Sequence, residues 1–143
     1  MRDFDSGVFN GILTQVKSKE QSLIKISIAE KEFVFLEYYL TRHCYYAKVV
    51  DDYSFEIVDK TSLLEALYYQ VKLVTVHGLN WDAIQEGFED LLDNLENYEG
   101  ICLLFKKKDL HGNLTKEFTT LMEILGEINK HSSQKRISLL LNE

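Results

Sequence analysis

Asp82, Glu86, Glu89 and Asp93 stand at positions i, i+4, i+7 and i+11 of one stretch, NWDAIQEGFEDLLDNLE (80–96). On a helix this spacing lines them along one face. Trp81, Ile84, Phe88, Leu91, Leu92 and Leu95 fall on a separate apolar stripe. Like charges at i,i+4 disfavour a helix by about 0.2–0.5 kcal/mol per pair, and no basic residue within the stretch relieves them. The helix dipole rewards acids in the first turn only, so Asp93 and Glu96 stand near the wrong end. A solvated face usually mixes signs; one sign sustained along a helix suits the attraction of a positively charged partner. Spacing alone is compatible with both.

The charge of the whole chain is distributed unevenly. The net charge is −7, yet Leu73 to Phe105 contains no Lys or Arg and seven acids: Asp82, Glu86, Glu89, Asp90, Asp93, Glu96 and Glu99. The remainder holds 16 acids, the 23 of the chain less these seven, against 16 bases. Nucleic acid is excluded as a direct partner, because phosphates select basic surfaces. Lys106–Lys108 is too short a run to change this and reads as a strand end or turn.

Other chemistry finds no support. His43, His77, His111 and His131 show no ligand spacing, so no metal is expected. Cys44 and Cys102 make no disulfide framework, and Cys102 in ICLLF reads as a buried small hydrophobe. No glycine-rich phosphate loop and no nucleophile elbow occurs, so neither a cofactor nor catalysis is expected. Trp81 reads as a core anchor, and Ala83 with Gly87 as a flat strip for close packing. No run approaches the ~18 apolar residues of a membrane span, and MRDFDSG lacks a secretory signal's features. A cytoplasmic protein without a membrane partner is the expectation.

The elements that would carry this stripe follow from periodicity. Residues 7–16 read as a short helix capped by Ser6. LIKISIA (23–29) alternates as a strand, and KEFVFLEYYL (31–40), aromatic and β-branched, reads as its hairpin partner. A third strand is expected over 45–52, then an extended FEIV (55–58). Thr61 or Ser62 would cap a helix over 61–69, and 70–78 would lead to the acidic helix. GICLLF (100–105) and RISLLL (136–141) read as buried strands around a helix over 113–131. The expected class is α/β with a mainly parallel sheet packed by helices. Residues 1–45 would form a β-rich extension, a short helix and a β-hairpin, before a domain over 46–143.

HGLNWDAIQEGFEDLL resembles the heart of the barstar family of intracellular ribonuclease inhibitors, whose pattern Gly-x-Asn-[Trp or Leu]-Asp-Ala-Leu-x-Asp occurs where a loop enters the second helix. Gly78, Asn80, Trp81, Asp82, Ala83, Ile84 and Glu86 occupy those places, and SLLEAL resembles the family's first helix. The resemblance covers about 46–143 and implies a small, three-layer-type barstar-like fold. It implies that the helix and its preceding loop plug the cleft of a basic ribonuclease. Glu86 would then take the place of the dominant carboxylate, with Asp82 a second contact one turn earlier. Val76, Asn80, Gln85 and Glu89 complete the expected partner surface, joined by Glu123 or Glu127 from the later helix. Glu86 stands where the family has Asp, Gln85 where one member has an aromatic, and Val76 and His77 where it has tyrosines. The implied function is one-to-one inhibition of a basic ribonuclease, as an immunity protein or antitoxin. The alternative is a module of this family that binds a basic non-ribonuclease partner or another toxin class.

Overall fold

The computed structural model describes residues 6–52, 56–74, 78–132 and 134–143. Along them run α1 (Ser6–Ser18), β1 (Leu23–Ile26), a 3-10 turn (Glu30–Glu32), α2 (Phe33–Arg42) and β2 (Tyr45–Val49). There follow α3 (Lys60–Val71), α4 (Trp81–Asn94), β3 (Gly100–Phe105), α5 (Leu110–Asn113), α6 (Thr115–His131) and β4 (Arg136–Asn142). The strands form one sheet in the order β1-β4-β3-β2, every pair parallel. Gly100 is required where β3 meets β4: a Cβ there would lie 2.6 Å from the carbonyl oxygen of Arg136.

The topology explains the layers. From β2 the chain steps to β3 and then β4 in one direction, whereas β1 to β2 crosses the whole sheet in the opposite direction. Right-handed crossovers in opposite directions place their helices on opposite faces. Accordingly α3, α4 and α6 pack on the face carrying Ile101, Leu103, Phe105, Ile137, Leu139 and Leu141. The residues of α1 and α2, Phe9, Ile12, Val16, Phe33, Leu36 and Leu40, pack with Cys102, Leu104 and Leu140 on the other. Strands buried on both faces are continuously apolar, as β3 is.

Two sequence expectations are corrected. Residues 33–42 are a helix, so the β-hairpin expected within 1–45 does not form and that region is not β-rich. Phe33, Leu36 and Leu40, spaced by three and four, face the core, but Val34 and Tyr38 are apolar and exposed on the outer side. With both sides apolar the helical period is hidden and the run resembles a strand. The second correction concerns α3, whose N-cap is Asp59 and not Thr61 or Ser62. The Asp59 carboxylate accepts the Ser62 N–H (2.8 Å), and the Ser62 hydroxyl oxygen accepts the Asp59 N–H (3.0 Å), a reciprocal cap. Of the extended FEIV segment, 56–58 lie outside any helix or strand and Phe55 lies outside the described residues.

Buried polar side chains tie the segment from Ser22 to Asp51 to the rest. Asn129, on α6, accepts the Ile137 N–H and donates to the Ile137 carbonyl and the Ser22 hydroxyl, each at 2.8 Å. Asn142 accepts the Ile28 N–H (3.1 Å) and donates to the Lys106 carbonyl (2.8 Å). Asp51 accepts the N–H groups of Lys106 (2.7 Å) and Lys107 (2.8 Å). Burial pushes the Asp51 carboxyl pKa up, against the downward pull of these two N–H groups.

Candidate functional site

α4 begins abruptly. Gly78 has φ +86, a left-handed conformation that favours glycine, although nothing lies within 4 Å of a Cβ placed there. Asn80 is extended, and its side-chain oxygen accepts the Ala83 N–H at 2.8 Å. Its carbonyl accepts the Ile84 N–H at 3.0 Å. Asn80 is therefore the N-cap, and folding of the helix alone accounts for an Asn at this place.

The helix sorts its residues by side. Ala83, Ile84, Gly87, Phe88 and Leu92 are buried, and Trp81 and Leu91 pack partly buried at the margin of the core. A Cβ on Gly87 would lie 3.0 Å from the Cβ of Leu73, so the small residues let α4 sit close on the chain leaving α3. Asp82, Glu86, Glu89, Asp90 and Asp93 are all exposed. The structure thus brings Asp82, Glu86 and Glu89 to one solvent face, with Gln85 half-buried beside it. Among the described residues, Asp82, Glu89, Asp90 and Asp93 form no salt bridge. Val76 lies outside the described residues.

The two candidate acids of α6 part company. Glu127 lies 2.9 Å from the His131 ring nitrogen Nε2. His131, Ile128 and Lys135 share with Glu89, Asp90 and Asp93 a hollow of about 590 Å3 between the ends of α4 and α6. Glu123 lines a different groove, with Leu23 and Met122. Glu127 thus reaches the border of that hollow through His131. No local pattern signals that His131 and Lys135 border the stripe, because close to forty residues separate them from it.

Compared with known proteins, residues 53–142 match the family model described as Barstar (barnase inhibitor). The chain belongs to the barstar family. No curated protein and no solved structure matches it. The matched span contains α3, α4, β3, α6 and β4, hence the whole acidic stripe, while α1, β1, α2 and β2 precede it. Family membership supports a protein-interaction role of the barnase-inhibitor kind. Among the described residues no helix is long and apolar enough to cross a membrane.

Proposed function

We propose that this barstar-family protein is a stoichiometric inhibitor of a basic ribonuclease, the immunity partner of a ribonuclease toxin, and that α4 is the element that occludes the active site. One observation carries the proposal. In a span matched by a family described as barnase inhibitors, Asp82, Glu86, Glu89 and Asp93 are all exposed on one helix, in a window without Lys or Arg. A ribonuclease cleft gathers cationic groups to hold phosphate, and a carboxylate placed among them gains charge-assisted hydrogen bonds. By the family pattern Glu86 occupies the phosphate-binding centre and Asp82 supports it from the preceding turn. Asn80 holds the helix start, Gln85 and Glu89 border the contact, and Val76 contributes from the loop ahead. Glu127 joins from α6, since His131 links it to the hollow beside Glu89.

Titration of the protein into small basic ribonucleases, including any encoded beside its gene, tests this. RNA cleavage should fall to zero at one equivalent of the cognate enzyme. A neighbouring toxin that cleaves RNA at full rate in excess protein would overturn the proposal. Association should also slow as salt rises, because the Debye length shrinks to about 3 Å at 1 M. The barnase–barstar pair is itself a standard case of such steering, so this sign is inherited from the family.

A further inference from the structure

The two edges of the sheet are finished differently. At the β2 edge, the Val50 N–H donates to the Leu104 carbonyl and the Glu99 N–H to the Cys44 carbonyl. Even-numbered residues there turn toward β3 and odd-numbered ones outward. Those outward residues are protected: the Val49 N–H donates to the Glu37 carboxylate at 2.7 Å, and Tyr45 and Ala47 are buried. At the β1 edge, the Leu139 N–H donates to the Ser22 carbonyl (2.7 Å) and the Glu143 N–H to the Ile26 carbonyl (2.8 Å). Leu23 and Lys25 therefore turn their backbone groups outward, and among the described residues no strand pairs with them.

Over that edge, on the α6 face, lies a groove of about 390 Å3 lined by Leu23, Phe118, Met122 and Leu141, with Glu123 as its charged group. We propose that β1 is the pairing edge of a two-fold homodimer, in which Leu23 of one copy stands opposite Lys25 of the other and the two sheets become continuous. Antiparallel pairing of two identical edges is self-complementary. In this register the outward N–H and C=O of Leu23 meet those of Lys25 from the second copy, with Ile24 on the axis. Side chains of directly opposed residues share a face. The Lys25 stem of one copy then covers Leu23 and Met122 of the other, and its ammonium reaches the groove's Glu123, a charge match made twice by symmetry.

Lys on an edge strand commonly guards against such pairing. Here its charge already has an acidic neighbour in its own chain, Glu143 at 3.6 Å, so pairing sets Lys25 between two carboxylates. The β1 groove and the hollow beside the α4 acids are lined by different residues, so each copy keeps its acidic face free. The proposal is independent of the inhibitor function.

Sedimentation equilibrium of the full chain, from micromolar to millimolar concentration, reads the mass directly. Two chains are expected. Lys25→Pro removes an outward N–H and leaves the β1–β4 ladder whole, so it should yield single chains that still melt cooperatively. Glu123→Lys should raise the dimer dissociation constant about tenfold, roughly 1.4 kcal/mol, and Lys25→Glu combined with it should restore the wild-type value. A wild type that stays a single chain throughout would sink the proposal. So would a dimer that survives Lys25→Pro, or a charge swap that fails to restore what the single change lost.

Discussion

The two faces of the sheet are built alike and finished differently. Each is closed by helices over a continuous apolar cluster. On the α3–α4–α6 face the outermost surface of α4 is of one charge sign, and that face lies within the family-matched span. The α1–α2 face is covered by residues that precede the match, and its outer surface mixes Lys17, Glu37 and Arg42 with exposed Val34 and Tyr38. What distinguishes the α4 surface is therefore a single sustained sign and not charge as such, which is why the proposed contact is placed there. The covering of the second face is packing: Cys102, Leu104 and Leu140 belong to matched strands and are buried by α1, β1 and α2.

The largest effect should come from removing that cover. A chain beginning at Cys44 keeps α3, α4 and α6 of the acidic side but exposes Cys102, Leu104 and Leu140. Burial of a single leucine is worth about 1.5–3 kcal/mol, and several such losses approach the whole stability of a domain, about 5–15 kcal/mol. The truncated chain should show no cooperative melt by circular dichroism. A sharp transition in it would mean that the first face folds alone and the second is an appendage.

Next in size are the acids. If α4 occludes a ribonuclease as proposed, Glu86→Ala and Asp82→Ala should each weaken binding by about 3–5 kcal/mol, because cations buried against them would lose their partner. Both side chains are exposed, so the melting temperature should stay within a degree or two of wild type, or rise slightly as i,i+4 repulsion is relieved. Glu30→Ala, on the opposite face, is the control and should change neither. Calorimetric titration beside thermal melts separates the outcomes, and a fully retained affinity in Glu86→Ala would move the contact surface off α4.

Smaller still are the buried polar ties between the regions. Asn129→Ala leaves the Ile137 N–H and carbonyl without their side-chain partner, and Asn142→Ala does the same to the Ile28 N–H and the Lys106 carbonyl. Each buried group left unsatisfied costs about 1–3 kcal/mol. Denaturant melts should show a lowered midpoint with an unchanged slope, since the fold loses bonds and not area. An unchanged midpoint in both variants would leave apolar packing and the backbone ladders as the main ties.

The sequence made some of this visible. The acidic stripe was legible because its polar and apolar residues separate cleanly at helical period, β3 because GICLLF is apolar without interruption, and β4 because RISLLL ends in an apolar run broken only at Ser138. α2 was not, since Val34 and Tyr38 carry apolar character onto the solvent side and blur the period. Asp51, Asn129 and Asn142 were invisible for another reason. Their residue types belong on surfaces, and only the fold, by placing unpaired strand-end groups beside them, makes them interior. The hollow that His131 and Lys135 share with the α4 acids likewise needed the packing of α6 against α4, which no local pattern encodes.

The smallest change probes the comparison most finely. Gly11 in α1 and Gly126 in α6 are exposed helical glycines with nothing within 4 Å of an added Cβ, one on each face of the sheet. Alanine at either position should stabilise its helix by about 0.4–1 kcal/mol, chiefly by restricting the unfolded chain. In a domain of this size such a gain raises the melting temperature by roughly 1–4 °C. If both faces unfold in one step, Gly11→Ala and Gly126→Ala raise the global transition by similar amounts, and the double variant adds the two because the sites share no partners. If α1 frays before the rest, the gain at Gly11 is spent on a local equilibrium. The global transition then moves for Gly126→Ala alone, while native-state hydrogen exchange slows only in α1 for Gly11→Ala. Equal shifts are expected, because Phe9, Ile12 and Val16 of α1 pack in the same cluster as Leu104 and Leu140 of the central strands.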